Sequence, residues 1–221
     1  MKLTKYFIIF TIYLLPLLTS AQNFRFIAFA DPQVTWIIPD NGIAENAGIR
    51  GGIDAGFDMD YFFSENYAFS TGLSINNLGG KLKFTEPVPF QFQGSADPEL
   101  INPGDVIIFR LQYLNVPLGL KFTTREIGYS TYYVKLGTTG HISTRSHADI
   151  SSLDIEKGNL ENEIGNVTFS YHFGVGLHYS LGGTTALTGG IEYKNRFVDI
   201  TTNTSFRTNL HSLGLRLGVL F

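Results

Sequence analysis

The chain has 221 residues, no cysteine, 24 glycines, 14% aromatic residues and a formal net charge of −3. That length suits one barrel or one sandwich and is short for two domains. Without cysteine there is no disulfide framework and no thiolate chemistry. The acidic balance argues against nucleic acid, whose phosphates need clustered Lys and Arg.

At the start, Lys2 and Lys5 precede an apolar run from Phe7 to Leu18, followed by Thr19-Ser20-Ala21-Gln22. A positive segment, a hydrophobic segment and small residues at −3 and −1 read as a signal peptide cleaved after Ala21. A run of about 12 residues is too short to cross a ~30 Å hydrocarbon core as a helix. The expected organisation is a leader over 1–21 and a single barrel domain over 22–221. Losing Lys2 and Lys5 takes the formal charge from −3 to −5.

The mature chain is patterned with period two. Ile53, Ala55, Phe57, Met59 and Tyr61 alternate with Asp54, Gly56, Asp58 and Asp60. Phe169, Tyr171, Phe173, Val175, Leu177 and Tyr179 alternate with Ser170, His172, Gly174, Gly176 and His178. Leu213, Leu215, Leu217, Val219 and Phe221 alternate with Ser212, Gly214, Arg216, Gly218 and Leu220. Successive strand residues point to opposite faces, so each segment has one large apolar face and one small or charged face. Eight strands are predicted, over 24–36, 49–61, 67–76 (reaching towards 82), 107–122, 129–143, 169–181, 185–197 and 211–221. Each is long enough for a tilted strand to span a bilayer. Pro32 and Pro117 cannot donate to a ladder, so a bulge or a strand start is expected at each.

Short links near 64–66, 123–128 and 182–184 alternate with long links over 37–46, 79–105, 144–167 and 198–208. In an up-and-down barrel this puts all turns at one rim and all loops at the other, as outer-membrane barrels do. A soluble barrel would turn its apolar face inward. Here the other face is crowded with glycine, a poor strand former in water, and with charge, which suits a narrow lumen. The fold class expected is therefore all-β, an eight-stranded antiparallel up-and-down transmembrane β-barrel. Phe173, Val175, Leu177, Leu213, Leu215 and Leu217 would face lipid. Tyr61, Phe62, Phe63, Tyr67, Tyr129, Tyr179 and Phe221 would form an interfacial girdle. Gly176→Ala should be felt little unless the lumen is tight there.

The stretch Tyr113-Leu114-Asn115-Val116-Pro117-Leu118-Gly119-Leu120-Lys121-Phe122 resembles a strand of the PorT-like outer-membrane barrels. Residues 48–57, 133–137 and 213–221 and the Ser-Ala-Gln leader boundary are similar to the same family. The resemblance implies an eight-stranded outer-membrane barrel inserted by the barrel assembly machinery, with terminal Phe221 as the assembly signal. Some members are associated with type IX secretion and gliding. The opening strand departs from the pattern at Ala30-Asp31-Pro32-Gln33.

Arg50, Asp54, Asp58, Asp60, Lys121, Lys135, Glu192, Lys194, Arg196 and Arg216 all fall on predicted inward faces. Buried charges are costly unless paired, so they read as a lumen salt-bridge network, with a proton or ion path as the sharper alternative. His141, Ser143, Ser170, His172, His178 and Glu192 hold the residue types of a Ser/His/acid set. However, His172 and His178 lie about 20 Å apart along a strand and cannot share a metal. The acidic loop 144–167 lacks a calcium-loop motif, and no metal or cofactor is expected. The proline-stiffened loop 84–104, with Phe84, Phe90 and Phe92, either packs over the barrel mouth or contacts a partner. Three functions stand open. The leading one is a non-enzymatic structural or assembly component of an envelope complex, in outer-membrane lipid and beside other envelope or secretion proteins. The others are a barrel enzyme acting on lipid or peptide, and a narrow channel or ligand-binding barrel.

Overall fold

The computed structural model describes residues 23–40, 42–90, 99–150, 155–160, 166–196 and 208–221. The proposed leader and Phe92 lie outside the described residues. So do much of the acidic loop and most of the link after residue 196. Twelve strands are described: β1 (Phe24–Pro39), β2 (Ala44–Gly48), β3 (Arg50–Ser64), β4 (Tyr67–Phe84), β5 (Val88–Phe90), β6 (Glu99–Ile101), β7 (Val106–Thr123), β8 (Ser130–Ile150), β9 (Ile155–Asn159), β10 (Val167–Gly182), β11 (Thr185–Arg196) and β12 (Thr208–Leu220).

Eight of these, β1, β3, β4, β7, β8, β10, β11 and β12, pair antiparallel in chain order. β12 returns to β1, with Ile27 opposite Leu220 and Pro39 opposite Thr208, so the barrel is closed. Closure leaves no free edge, the condition for strands to cross a hydrocarbon layer.

The β3–β4, β7–β8 and β10–β11 turns share one rim. Asn66 Nδ2 donates to the Thr123 carbonyl at 2.7 Å, and the Ser180 amide donates to the Tyr129 carbonyl at 2.8 Å. Gly182 and Gly183, with φ of 105° and 63°, supply the left-handed backbone that only glycine adopts without cost. At this rim Phe26 and Phe221 exchange backbone hydrogen bonds of 3.0 and 2.9 Å, and their rings stack at 6.3 Å.

The strands outrun their predicted ends at the loop rim. β4 continues to Phe84, β8 to Ile150, and β12 begins at Thr208, because alternation resumes there with different residue types. Neither proline bulges its strand. β1 pairs Ala30 with Leu217 and Gln33 with Gly214 in one register across Pro32. β4 and β7 pair Thr71 with Leu118 and Ser74 with Asn115 across Pro117. The register shift in β7 falls between Gln112 and Tyr113 instead.

The outward face carries an apolar band. Phe26 to Trp36, Tyr67 to Asn77, Phe122 to Gln112 and Phe221 to His211 each span ten residue steps. That is about 33 Å along a strand, and a tilt near 45° makes it about 23 Å tall, close to the height of an outer-membrane band. Phe173, Val175, Leu177, Leu213, Leu215 and Leu217 are all exposed on it. Phe62, expected in the girdle, points inward instead, buried beneath the Arg25 guanidinium at 4.4 Å. Gly176 is tight: an added Cβ would stand 2.6 Å from the Tyr133 hydroxyl, so alanine there collides.

Candidate functional site

The lumen is layered. At the turn rim Ile27, Phe29, Ala186 and Leu220 form a small apolar cluster. Beneath it is an opening of about 520 Å³, lined by Arg25, Glu126, Thr131, His178, Ser180 and neighbours.

Above that cluster sits a layer of charge. Arg216 from β12 holds three strands at once. Its Nε donates to Asp31 of β1 at 2.8 Å, Nη1 to Asp58 of β3 at 2.6 Å and Nη2 to Glu192 of β11 at 2.9 Å. Its guanidinium carbon also lies 3.9 Å from the centre of the Phe29 ring. Lys135 of β8 donates to Asp58 at 2.8 Å, and Lys121 of β7 to Asp60 at 2.6 Å. Lys194 of β11 reaches Asp54 at 2.7 Å and Glu192 at 2.9 Å. Every member except Lys194 is under 9% exposed. Charge-assisted bonds of this length between buried groups tie strands that are distant in sequence.

Two predicted members stand apart. Arg196 is 2% exposed and lies over the Tyr113 ring at 3.9 Å. Arg50 begins β3 at the loop rim and donates to the Leu78 carbonyl at 2.9 Å, with Arg110 and Asp149 rather than the lumen carboxylates as its charged neighbours. Asp31 belongs to the cluster and was missed. The break at Ala30-Asp31-Pro32 hid it, yet it shares parity with Ile27, Phe29 and Gln33 once the register is carried through Pro32.

A polar layer comes next. His141 Nε2 is 2.8 Å from Ser170 Oγ, and His141 Nδ1 is 2.6 Å from Asn115 Oδ1. Asn115 also donates to Asp54 at 3.3 Å. Ser, His and an orienting amide in this order have the form of a nucleophilic set. All three are at most 1% exposed, so no substrate reaches the Ser170 hydroxyl. His172 bonds Thr139 at 2.9 Å, His178 stacks on Tyr133 at 4.6 Å, and Ser143 bonds Ser146 at 3.0 Å. The imagined Ser/His/acid residues are therefore dispersed, apart from Ser170 and His141. Among the described residues no cluster of three potential metal ligands occurs.

The loop-rim end is closed by an apolar cap. Ile37, Leu78, Leu82, Phe84, Ile107, Phe109, Leu111 and Ile150 are buried there together with Val88, Phe90 and Ile101 of the β5–β6 hairpin. Phe90 meets Phe84 at 5.9 Å and Phe109 at 6.5 Å. Phe84 and Phe90, two of the loop aromatics, thus pack over the mouth. Of the two readings of that loop, packing over the mouth is the one the described residues show.

A closed eight-stranded barrel with a lipid-facing apolar band and a charged interior defines an outer-membrane β-barrel protein. Over residues 20–213 the chain matches the family model described as outer membrane protein beta-barrel domain, and it belongs to that family. It resembles Neisserial surface protein A at a TM-score of 0.51 and 12% identity, covering 88% of this chain and 95% of that one. OprG from Pseudomonas aeruginosa is similar at 0.47 and 11% identity, with 89% and 94% covered. Ail of Yersinia pestis is similar at 0.41 and 14% identity, with 89% and 98% covered. At these identities the likeness is one of fold. No curated protein matches in sequence.

Proposed function

We propose that the protein is a non-enzymatic structural or assembly component of an outer-membrane complex. The observation that carries this reading is the filled lumen. The charge layer, the sealed polar layer and the apolar cap leave a wall and two rims, rather than a conduit or a catalytic cleft, as the working surfaces. An eight-stranded barrel filled by its own side chains is a poor pore.

The strand from Tyr113 to Phe122 supports a place among PorT-like barrels, and hence a partner within type IX secretion. The leader over 1–21 supports export through the general secretory route, with Gln22 the first mature residue. Terminal Phe221, paired with Phe26, supports recognition by the barrel assembly machinery.

The test is affinity purification in mild detergent, alongside a deletion strain. Stable co-purification of other envelope proteins with a secretion defect is expected. A barrel that purifies alone from cells whose deletion leaves secretion intact removes the reading. Discrete single-channel conductance in planar bilayers would favour a channel instead.

A further inference from the structure

The two halves of the outer wall end differently at the loop rim. On β10, β11, β12 and β1 the band closes in aromatic rings. Trp36 and His211 stack at 5.5 Å, Tyr193 bonds His211 at 2.8 Å, and Tyr171 follows Tyr193 at 6.4 Å. On β4, β7 and β8 it closes in amides, with Gln112 Nε2 donating to Asn77 Oδ1 at 3.0 Å. Directly above them the outward residues are basic.

The register specifies the cluster. Gln112 lies opposite Arg145, Gly79 opposite Arg110, and Lys81 opposite Ile108, whose other neighbour is Asp149. Opposed residues share a face, so Lys81, Arg110 and Arg145 all point outward. Arg50 joins them. An added Cβ on Gly79 would stand 2.8 Å from Arg50 Nη1, and the electrostatic neighbours of Arg50 are Arg110 and Asp149. Asp149 bonds Arg110 at 2.6 Å. Among the described residues, four cations and one carboxylate leave a local charge of +3 (four minus one) on a chain whose formal net charge is −3. Lys83 is set aside because Glu45 lies opposite it.

Like charges gathered on one wall repel one another, and an anion in front of them removes that cost. The height of the patch selects the anion. It begins one residue pair above the apolar band, where lipid headgroups lie, and on the loop side, which faces the cell exterior in outer-membrane barrels. We propose that Arg50, Lys81, Arg110 and Arg145 form a binding patch for the phosphate of a phosphorylated outer-leaflet lipid. The patch draws on the outer-membrane assignment but not on any protein partner, so its failure would leave the assembly reading standing. Each basic group at a membrane surface contributes about 1 kcal/mol towards anionic lipid, roughly a fivefold change in affinity.

The experiment is native mass spectrometry of the detergent-solubilised protein, titrated with diphosphoryl lipid A, monophosphoryl lipid A and phosphatidylethanolamine. Wild type should bind the diphosphoryl lipid tightest. The Lys81→Gln/Arg110→Gln/Arg145→Gln variant should lose at least tenfold while keeping the heat-dependent gel shift of a folded barrel. Lys83→Gln should stay within about twofold of wild type. If the triple variant loses its gel shift, Arg145→Gln alone carries the comparison, with a loss of about fivefold expected. Equal affinity for all three lipids overturns the proposal, as does an unchanged variant. So does soluble heparin binding as tightly as lipid A with the same losses, which would make the patch a polyanion surface.

Discussion

Below and above the loop-side edge of the band, the same strands are built inside out relative to each other. Within the band, β4 turns Phe69, Leu73 and Ile75 outward and buries Ser70, Ser74 and Asn76; beyond it, Lys81 and Lys83 face outward while Leu82 and Phe84 are buried. β7 and β8 invert at the same height. Leu118 and Leu136 face out below, over buried Lys121 and Lys135, and Arg110 and Arg145 face out above, over buried Phe109 and Ala148. The backbone is continuous and only the solvent changes. Lipid accepts apolar side chains and leaves the charge to pair inside, whereas water reverses the preference. Two interiors of opposite chemistry follow, one held by directed ion pairs and one by packing.

Substitutions can break or sharpen this contrast. Arg216→Met should cost most, about 3–5 kcal/mol, because three buried carboxylates lose their shared partner; urea titration of the folded barrel in lipid vesicles would measure it. Leu215→Arg should cost about 2–4 kcal/mol near the midplane. By contrast, Ile108→Arg, outward above the band, should stay within about 0.5 kcal/mol. Equal penalties in the same titration would abolish the inversion. Leu82→Ala, in the cap, should cost about 2–3 kcal/mol through transfer and cavity terms. The last is a double change. Lys121→Met with Asp60→Leu should fall within about 1 kcal/mol of wild type, although either alone costs several. Additive losses in that cycle would mean the ion pair does not behave as a coupled unit.

Much of the architecture was legible because period two is a local property. Eight strands, the rim that carries the short turns, the exposed face holding Phe173 and Leu215, and the inward parity of Asp54, Asp58, Lys121, Lys135, Glu192 and Arg216 all come from residues a few positions apart. Asp31 was hidden where a proline suggested a bulge that the ladder does not make. Phe62 was misplaced because the strand-end run Tyr61-Phe62-Phe63 offers no alternation to read.

The sequence by itself therefore determined the barrel class and which residues share a face. It could not determine which carboxylate meets which cation, that His141 joins Ser170 and Asn115, or that Phe84, Val88, Phe90 and Ile101 close the mouth. Those depend on closure of β12 onto β1 and on stagger between strands, which bring together residues as far apart as Asp31 and Arg216. Pairing is a property of distance, and only the closed barrel sets distance. Nor did alternation say where the outside changes from lipid to water. That boundary became visible only when Trp36 was seen opposite His211 and Asn77 opposite Gln112, each at the end of its apolar row.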